Sequence, residues 1–460
     1  MTEPNGIERR KPPRVRFGRG EIQSMYDGAM RLIDSAREIA FKPGEEKRLH
    51  RKLTVVEVCR LLGIHHSVLY GPNSPLPPGE KAGSARLFTV PEFHQIQDRL
   101  GLNPRSLYGI QRAVKIAFAN HKGGVGKTNE SVGFAQDSAV RGFKTLMVDL
   151  DPQASATSLL GIRPIDVDDF ETLLPMTYGK ARCDAMWVDD MQKKKVPSDT
   201  PPYWTGTLKT AVRPTYFPRL DVLSANLSLY YADIVMGIRD KSEADFKWYR
   251  LVSDALETII ADYDLIVMDL PPTLSFYTGS AVYAADGLLI PTPAGQLDLE
   301  STLAFLKMLD DILELAATDS GQEKIYEFLR IFISKYQAGV EAQSRLAGWM
   351  RVAFGAQLLE KPMPLLPLVQ NLGPELQTIF EHLPRGRDEP KARPGEPFKA
   401  SRPQLREALA EADQVHGPIF DDIVDLFKSR QAARAPSATR LPDDKGAEVS
   451  TSVSSRVRAA

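Results

Sequence analysis

The sequence predicts an α/β protein with a mostly parallel, doubly wound sheet, preceded by an all-α, winged helix-turn-helix domain. Two observations support this prediction. From residue 114 onward, apolar strand candidates alternate with longer amphipathic stretches, which is typical of right-handed βαβ units whose sheet is covered on both faces. Before residue 108, a helix with a capping signal is followed by a glycine turn and a second short helical stretch.

The larger domain is predicted over residues 109–430. Its strand candidates are residues 116–120, 145–149, 220–223, 265–269, 288–291 and 329–334. Its helix candidates include residues 128–141, 244–263, 299–316, 342–354 and 405–413. The polar stretch at about 165–215 interrupts the alternation and indicates an insertion or an elaborated loop. Residues 431–460 are rich in alanine, serine and charge, and we expect a disordered tail.

Composition limits the classes of function. The 460 residues are enough for two or three domains, and the net charge of −1 creates no global field that favours nucleic acid. Any DNA-binding surface must therefore come from local segregation of charge. The two cysteines, Cys59 and Cys183, form no metal-ligand spacing and fit a reducing cytosol. We expect a cytoplasmic protein without a membrane partner, because no apolar run has transmembrane length and no signal peptide opens the chain.

Residues 1–20 predict a basic, disordered arm, since they combine prolines with a cluster of arginines and a lysine. Residues 21–48 contain an amphipathic helix, Glu21–Phe41, that ends at Pro43-Gly44. The apolar stripe of this helix must be buried somewhere. A partner subunit and the protein's own chain remain equally good candidates.

Residues 49–108 predict the winged helix-turn-helix domain. Thr54 and Glu57 form a capping box, and the helix that they start ends at Gly63. A second helix beginning near His65 would be the reading helix, with the short strand Ala85–Thr89 as a wing. The candidate DNA-binding residues on that helix are His65, His66, Ser67 and Tyr70. A plain helical cap without a DNA-binding role remains the alternative.

The most informative motif is the glycine-rich stretch Lys122–Thr128, which follows an apolar strand and precedes a helix. A strand, a glycine-rich turn and a helix start are the parts of a phosphate-binding loop. Glycines allow backbone N–H groups to close around a polyphosphate, and the helix N-terminus adds positive potential. In such a loop Lys127 reaches the β- and γ-phosphates of a nucleotide, and the Thr128 hydroxyl ligates Mg²⁺.

Carboxylates follow two further strand candidates. Asp149 and Asp151 stand two residues apart at the end of one strand, and Asp269 ends another before a Pro-Pro break. A nucleotide site needs acidic groups for two reasons: Mg²⁺ prefers oxygen ligands, and the attacking water needs an acceptor to position it. The order of the three motifs along the chain strengthens each of them.

The loop departs from the general pattern, because His121 replaces a glycine and a second lysine, Lys122, opens the loop. It resembles the deviant Walker A loop of the ParA/MinD family of ATPases. Together with the helix-turn-helix domain, the motifs are similar to those of large ParA partition ATPases and of the rhizobial RepA partition proteins. The resemblance implies that Lys122 crosses a dimer interface to the partner subunit's nucleotide.

The resemblance also assigns the remaining roles. Asp151 would orient the hydrolytic water, so that the catalytic residues are Lys122, Lys127 and Asp151. The metal residues would be Thr128, Asp149 and Asp269. The nucleotide-binding residues would be Lys122, Gly123, Gly124, Val125, Gly126, Lys127, Thr128 and Asn129, with Pro293 beside the base. One departure concerns Asn129 and Glu130, which stand where the family usually has threonines.

The function that the resemblance implies is DNA segregation. It includes ATP-driven homodimerisation with Mg²⁺, non-specific DNA binding by the ATP dimer on the nucleoid, hydrolysis of ATP to ADP stimulated by a ParB-like centromere-binding protein, and autorepression through the helix-turn-helix. The alternative is a nucleotide-gated transcriptional repressor whose ATPase activity is incidental. The basic, proline-rich segment Arg385–Arg402 fits a phosphate-backbone contact and a solvated loop equally well.

Overall fold

The computed structural model describes residues 19–29 apart from 21 and 26, and residues 51–70, 76–82, 85–193, 195, 202–373, 376–382 and 400–434. The described part of 19–29 is helical. The basic arm before residue 19, the rest of the helix predicted within 21–48, the segment 383–399 and the tail from 435 lie outside the described residues.

The N-terminal module combines three short strands with helices. Strands β1, β3 and β2 form an antiparallel sheet in that order. The predicted capping box at Thr54 is present, and Thr89 and Glu92 form a second one. A small apolar core that includes Leu53 and Phe93 holds the module together. Its elements are β1 (Lys52–Thr54), α1 (Val55–Leu62), β2 (Glu80–Ala82), β3 (Ala85–Thr89), α2 (Val90–Leu100) and α3 (Pro104–Leu107).

Two details of the predicted helix-turn-helix domain are corrected. The module is not all-α, because Lys52 pairs with Thr89 in an antiparallel ladder. Three-residue strands are too short for an alternating pattern to reveal them. The expected reading helix is only a 3₁₀ turn, His66–Val68, which the His65 ring starts by accepting a hydrogen bond from the Ser67 N–H.

The larger domain has the predicted α/β fold. Its seven-stranded sheet has the order β10-β9-β4-β8-β5-β7-β6 and is parallel except at the edge strand β6. The prediction of a mostly parallel, doubly wound sheet is therefore confirmed. The strands are β4 (Val114–Phe118), β5 (Thr145–Asp149), β6 (Arg213–Pro214), β7 (Leu220–Leu223), β8 (Leu265–Asp269), β9 (Gly287–Pro293) and β10 (Phe328–Ser334).

Helices cover both faces of this sheet, and each face has its own apolar core. The helices are α4 (Lys127–Val140), α5 (Ser155–Leu159), α6 (Leu174–Tyr178), α7 (Lys180–Gln192), α8 (Ala232–Ser242), α9 (Leu251–Glu257), α10 (Phe276–Ala284), α11 (Gln296–Ser320), α12 (Glu341–Phe354), α13 (Pro367–Leu372) and α14 (Arg402–Arg434). Among the described residues, no helix has both the length and the apolar character needed to cross a membrane.

The stretch predicted as an insertion at about 165–215 is largely helical where it is described. It contains α6 and α7, and both Leu174 and Cys183 are fully buried against the sheet. The sequence did not reveal these helices, because α6 has only five residues and Cys183 is the only buried residue of α7. Burial also raises the pKa of the Cys183 thiol to about 11, so this cysteine is an inert part of the core.

Helix α4 connects the two domains. His94 of α2 hydrogen-bonds the carbonyl of Ala139 (2.8 Å), and Gln97 donates to the carbonyl of Arg141 (2.7 Å). The N-terminal module therefore docks at the C-terminal end of α4. The glycine-rich loop lies at the opposite end of the same helix.

Candidate functional site

The sheet order brings the three sequence motifs together. Strand β8 lies between β4 and β5, and Asp149 is the direct register partner of Asp269. The Thr128 hydroxyl, in the first turn of α4, donates a hydrogen bond to Oδ2 of Asp269 (2.7 Å). Residues from the ends of three neighbouring strands thus converge at the carboxyl edge of the sheet, where ligands of such folds bind.

The loop has the backbone of an anion site. Gly124 and Gly126 have φ angles of 75° and 103°, which side chains with a Cβ rarely adopt. Gly126 is the N-cap of α4, and within the described residues no side chain caps this helix start. Its first N–H groups and the helix dipole therefore remain available for a negative ligand.

Lys127 lies inside this loop rather than in solvent. Its side chain is buried, and its ammonium donates to the carbonyl of Lys122 (3.1 Å). Burial lowers the pKa of Lys127, and the carboxylates of Asp269 and Asp151 oppose that shift. A buried cation whose hydrogen-bond partner among the described residues is one carbonyl is well placed to bind phosphate oxygens.

Asp269 has the properties of a metal ligand. Its side chain is fully buried, and its Oδ1 atom has no hydrogen-bond partner among the described residues. Burial raises the pKa of Asp269 to about 8, and the nearby carboxylate of Asp149 adds to this shift. A divalent cation would remove this cost of burial, so Thr128 and Asp269 fit Mg²⁺. The described residues contain no cluster of three or more His, Cys, Asp or Glu side chains that could hold a metal alone.

Asp149 is differently placed, because both of its carboxylate oxygens are hydrogen-bonded. Oδ2 accepts from the N–H and the hydroxyl of Thr157, both at 2.8 Å, and Oδ1 accepts from the N–H of Asp151 (3.1 Å). Burial nevertheless raises the pKa of Asp149 to about 6. This arrangement fixes the loop after β5 and leaves Asp149 less suited than Asp269 to ligate a metal directly.

Asp151 lies at the same edge of the sheet and is only partly buried. Its Oδ1 atom accepts from the N–H of Gln153 (2.9 Å), and within the described residues Oδ2 takes part in no hydrogen bond. The amide of Gln153 donates to the hydroxyl of Tyr230 (2.6 Å). Tyr230 belongs to an exposed apolar surface of helix α8 and the turn before it, which consists of Leu227, Tyr230, Tyr231, Ile234 and Ile238.

Lys122 is held within its own chain. Its ammonium forms an ion pair with Oδ1 of Asp298 (2.7 Å), and its N–H donates to the side chain of Asn120 (3.2 Å). Asn120 is buried at the end of the β4 segment and also donates to the carbonyl of Pro291 (2.9 Å). The sequence did not predict a role for Asn120 or Asp298. A buried amide at the end of an apolar strand was the only signal for the first, and the second carried none.

A cavity of about 250 Å³ lies beside the loop. Gly126, Asn129, Glu130 and Lys335 line its polar side, and apolar residues of 363–369 and 379–380 line the other side. Burial raises the pKa of Glu130 to about 7. The Lys335 ammonium also donates to the carbonyl of Gly124 (2.5 Å).

Pro293, which the resemblance assigned to the base, is not among the residues that line this cavity. It pairs with Ser334 in the ladder between β9 and β10.

The candidate DNA-binding residues form a separate group. His65, His66, Ser67 and Tyr70 are exposed on the N-terminal module. Nδ1 of His65 lies 2.9 Å from the Ser67 hydroxyl, and the two imidazoles are in contact at 3.1 Å. These side chains are available to a partner but are presented by a turn rather than by a helix.

Comparison with known proteins gives a consistent result. A family model described as an AAA domain matches residues 113–319. A putative replication protein A of Rhizobium rhizogenes is 31% identical over 354 residues, which cover 74% of this chain and 82% of the relative. Protein SopA of Escherichia coli K12 is 29% identical over 351 residues, which cover 73% and 82%. A solved partition protein has the same fold, with a TM-score of 0.52 and 18% identity over 77% of this chain and 94% of the other.

Proposed function

This chain belongs to the ParA family of partition proteins, and on that premise we propose that it is a Mg²⁺-dependent ATPase that segregates DNA by forming a homodimer with ATP. One observation carries the proposal. Among the described residues, Oδ1 of Asp269 is buried without a hydrogen-bond partner, while Oδ2 accepts from the Thr128 hydroxyl at the start of a helix that no side chain caps. Such a group is costly unless a cation binds it, and a nucleotide would bring Mg²⁺ and phosphate together there.

The proposed mechanism divides the work among residues of three strands. The N–H groups at the start of α4 and the ammonium of Lys127 bind the β- and γ-phosphates. Thr128 and Asp269 would hold Mg²⁺, which would supply positive charge beside the phosphates. Asp151 accepts a hydrogen bond from the attacking water and orients it in line with the γ-phosphate. Asp149 keeps the loop that carries Asp151 in position.

The cavity beside the loop is the proposed place for the base. Gly126 and Asn129 connect it to the phosphate site, and its apolar side suits a flat aromatic ring. Glu130 faces the same cavity with its raised pKa, so this carboxyl can donate or accept a hydrogen bond near neutral pH. Asn129 therefore keeps its proposed nucleotide-binding role, and the cavity takes the place of Pro293.

The proposed homodimer uses the exposed apolar surface of Leu227, Tyr230, Tyr231, Ile234 and Ile238. Monomeric proteins rarely leave such contiguous apolar surface in water. Through the contact between Gln153 and Tyr230, this surface adjoins the loop of Asp151. Two copies that pack here would face each other with their nucleotide sites, which is what the cross-subunit role of Lys122 requires.

DNA and a ParB-like protein are the proposed partners. The ATP dimer would bind DNA without sequence preference on the nucleoid, and a ParB-like centromere-binding protein would stimulate hydrolysis. His65, His66, Ser67 and Tyr70 are the proposed operator-contacting residues for autorepression. A second candidate function, a nucleotide-gated repressor, is favoured by the docking of the N-terminal module on α4, the helix that starts at the phosphate loop.

The test compares two kinds of DNA. Binding to a random-sequence duplex and to the region upstream of the protein's own gene is measured with ADP and with ATP, at one fixed salt concentration, because phosphate contacts depend strongly on salt. Tight binding of the random duplex only with ATP supports partition. Binding of the upstream region alone, strongest with ADP, would reject partition in favour of the repressor.

A further inference from the structure

The ion pair between Lys122 and Asp298 joins the phosphate loop, which follows β4, to the start of helix α11, which follows β9. Asp298 lies in the first turn of α11, directly after β9. The side chain of Lys122 is 37% exposed and that of Asp298 is 19% exposed, and the two charged atoms are 2.7 Å apart. Lys122 belongs to the phosphate-loop motif, whereas Asp298 lies outside all three motifs that predicted the site.

Hydrogen bonds through Thr302 and Asn120 fix the backbones of both Lys122 and Asp298. The backbone carbonyl of Asp298 accepts from the Thr302 hydroxyl (3.1 Å), and the Asn120 amide donates to the same hydroxyl (3.0 Å). The Asn120 carbonyl oxygen in turn accepts from the N–H of Lys122 (3.2 Å). A closed ring of contacts therefore fixes the distance between the backbones of Lys122 and Asp298.

Gly295 makes room for this arrangement. A Cβ atom on Gly295 would lie 2.3 Å from Oδ2 of Asp298, far inside van der Waals contact. The carboxylate thus lies directly over the glycine, with its other oxygen turned to Lys122. An alanine at position 295 has to displace the Asp298 side chain, which is the end of a short, rotatable group.

The two ends of Lys122 have different tasks. Its carbonyl receives the ammonium of Lys127 within the loop, while its own ammonium is turned to Asp298. We propose that Asp298 is a positioning residue that competes for Lys122: it retains the lysine in its own subunit and must release it before the lysine can reach a second copy's nucleotide. This inference rests on the proposed ATP dimer and adds to it a barrier against premature assembly.

Removal of the competitor should favour assembly. A partly exposed ion pair of this kind shifts an equilibrium by about two- to fivefold. The variants Asp298→Asn and Gly295→Ala should therefore dimerise at a nucleotide concentration lower than the wild type needs by about two- to fivefold. Asp310→Asn is the matched control, since Asp310 lies on the same helix and, within the described residues, forms an ion pair only with the exposed Lys307.

The measurement is light scattering on a sizing column across a titration with a non-hydrolysable ATP analogue and Mg²⁺. Thermal melting of each variant verifies that it is folded. A lower midpoint in both variants, lost again when Lys122→Ala is added to Asp298→Asn, is the expected result. A midpoint in Asp298→Asn equal to or above that of the wild type would overturn the inference.

A second measurement keeps this inference separate from the proposed dimer. Amine labelling of Lys122 in the monomer, followed by mass spectrometry, reports whether its ammonium is held by a carboxylate. Asp298→Asn should label Lys122 faster than wild type, and Asp310→Asn should not. A wild type that stays monomeric with nucleotide would reject the dimer, whereas unchanged labelling of Lys122 in Asp298→Asn would reject the competition.

Discussion

The polar groups at the two ends of helix α4 differ in whether they have hydrogen-bond or ion-pair partners. Its 14 residues span about 21 Å. At the N-terminal end, the helix start is uncapped and a carboxylate oxygen of Asp269 is buried without a partner among the described residues. At the C-terminal end, Asp137 contacts both Arg141 (3.2 Å) and His416 (2.9 Å).

The charges of Asp137 and Asp269 show the same contrast. Burial by itself would raise the pKa of Asp137, but Arg141 and His416 outweigh it and hold that pKa well below its usual range. Burial and the nearby carboxylate of Asp149 raise the pKa of Asp269 to about 8, because the opposing effects of the Thr128 hydroxyl and the Lys127 ammonium are smaller. The difference indicates that Asp137 stabilises the packing of α14 on the C-terminal end of α4, whereas the N-terminal end, the ligand end, is suited to bind a ligand. Polar groups that a fold leaves unsatisfied are the better guide to function.

The largest expected effect concerns turnover at the ligand end. Asp151→Ala should keep nucleotide affinity and lose ATP hydrolysis by a factor on the order of 100 or more, because the attacking water loses its acceptor. Phosphate release and binding of a fluorescent ATP analogue measure the two properties separately. An equal loss of binding would show that Asp151 shapes the site rather than orients water.

Lys127→Ala should weaken nucleotide binding by a factor on the order of 100, since the phosphates lose the charged hydrogen bonds that the buried ammonium donates. Lys122→Ala is the control from the same loop. It should leave binding to the monomer intact, because Lys122 is directed to Asp298 instead. Calorimetric titration with Mg·ADP measures both variants, and a comparable loss in Lys122→Ala would remove the distinction between the two lysines.

At the C-terminal end of α4 the expected effect is on stability. Asp137→Asn should lower the free energy of unfolding by about 3 kcal/mol, because it removes the buried carboxylate that the partly buried Arg141 and the buried His416 share. Asp413→Asn should cost less, about 1 kcal/mol or below, since Asp413 is half-exposed. Urea denaturation measures both. Equal and small effects would mean that the contacts of Asp137 with Arg141 and His416 contribute little to the free energy of unfolding.

A pH test separates the two ends further. Burial, aided by the nearby Arg219, lowers the pKa of His94 to about 4. A base with a depressed pKa contributes stability above its unfolded pKa of about 6.5 and loses it as the pH falls toward the folded value. Between pH 7.5 and pH 5 the wild type should thus lose about 2 kcal/mol relative to His94→Gln, whose amide can still donate to Ala139.

The comparison of wild type with His94→Gln also controls for other groups that titrate between pH 7.5 and pH 5. Glu130 and Asp269 have raised pKa values, so they act in the opposite direction over the same pH range. Both proteins contain them, and their contributions cancel in the difference. Parallel stability curves for wild type and His94→Gln would show that His94 is not held neutral at the domain contact.

The sequence predicted the N-terminal end of α4, with its phosphate loop and strand ends, better than the C-terminal end, for a physical reason. Strands such as Thr145–Asp149 and Leu265–Asp269 were predicted with their observed bounds, because a buried parallel strand is a continuous apolar run that ends at its first carboxylate. The phosphate loop needs glycines at fixed positions and is therefore visible as a motif. Asp298 was missed since its role depends on a spatial contact with Lys122, across more than 170 positions of the chain.

Helix α14 illustrates the other limit. A local pattern predicted residues 405–413, whereas the helix extends over Arg402–Arg434 and contains Pro418 in its interior. Proline removes one hydrogen bond and usually ends a helix. Here Phe420 stacks on Phe134 of α4 with ring centroids 4.8 Å apart, and Ile423 is fully buried. This burial outweighs the local cost, and no sequence window around Pro418 contains that information.

The smallest expected effect concerns the exposed side of the N-terminal module, turned to solvent rather than to α4. His66→Ala and Tyr70→Ala should each weaken binding to the region upstream of the gene by about fivefold, the loss expected for one exposed contact of about 1 kcal/mol. Binding of the random duplex with ATP should not change, because these side chains take no part in the dimer surface near Tyr230. Fluorescence anisotropy at fixed salt measures both duplexes. A parallel loss on both would assign the module to general DNA contact, and no loss on either would leave the turn at His66–Val68 without a role in DNA recognition and make docking on α4 the module's main task.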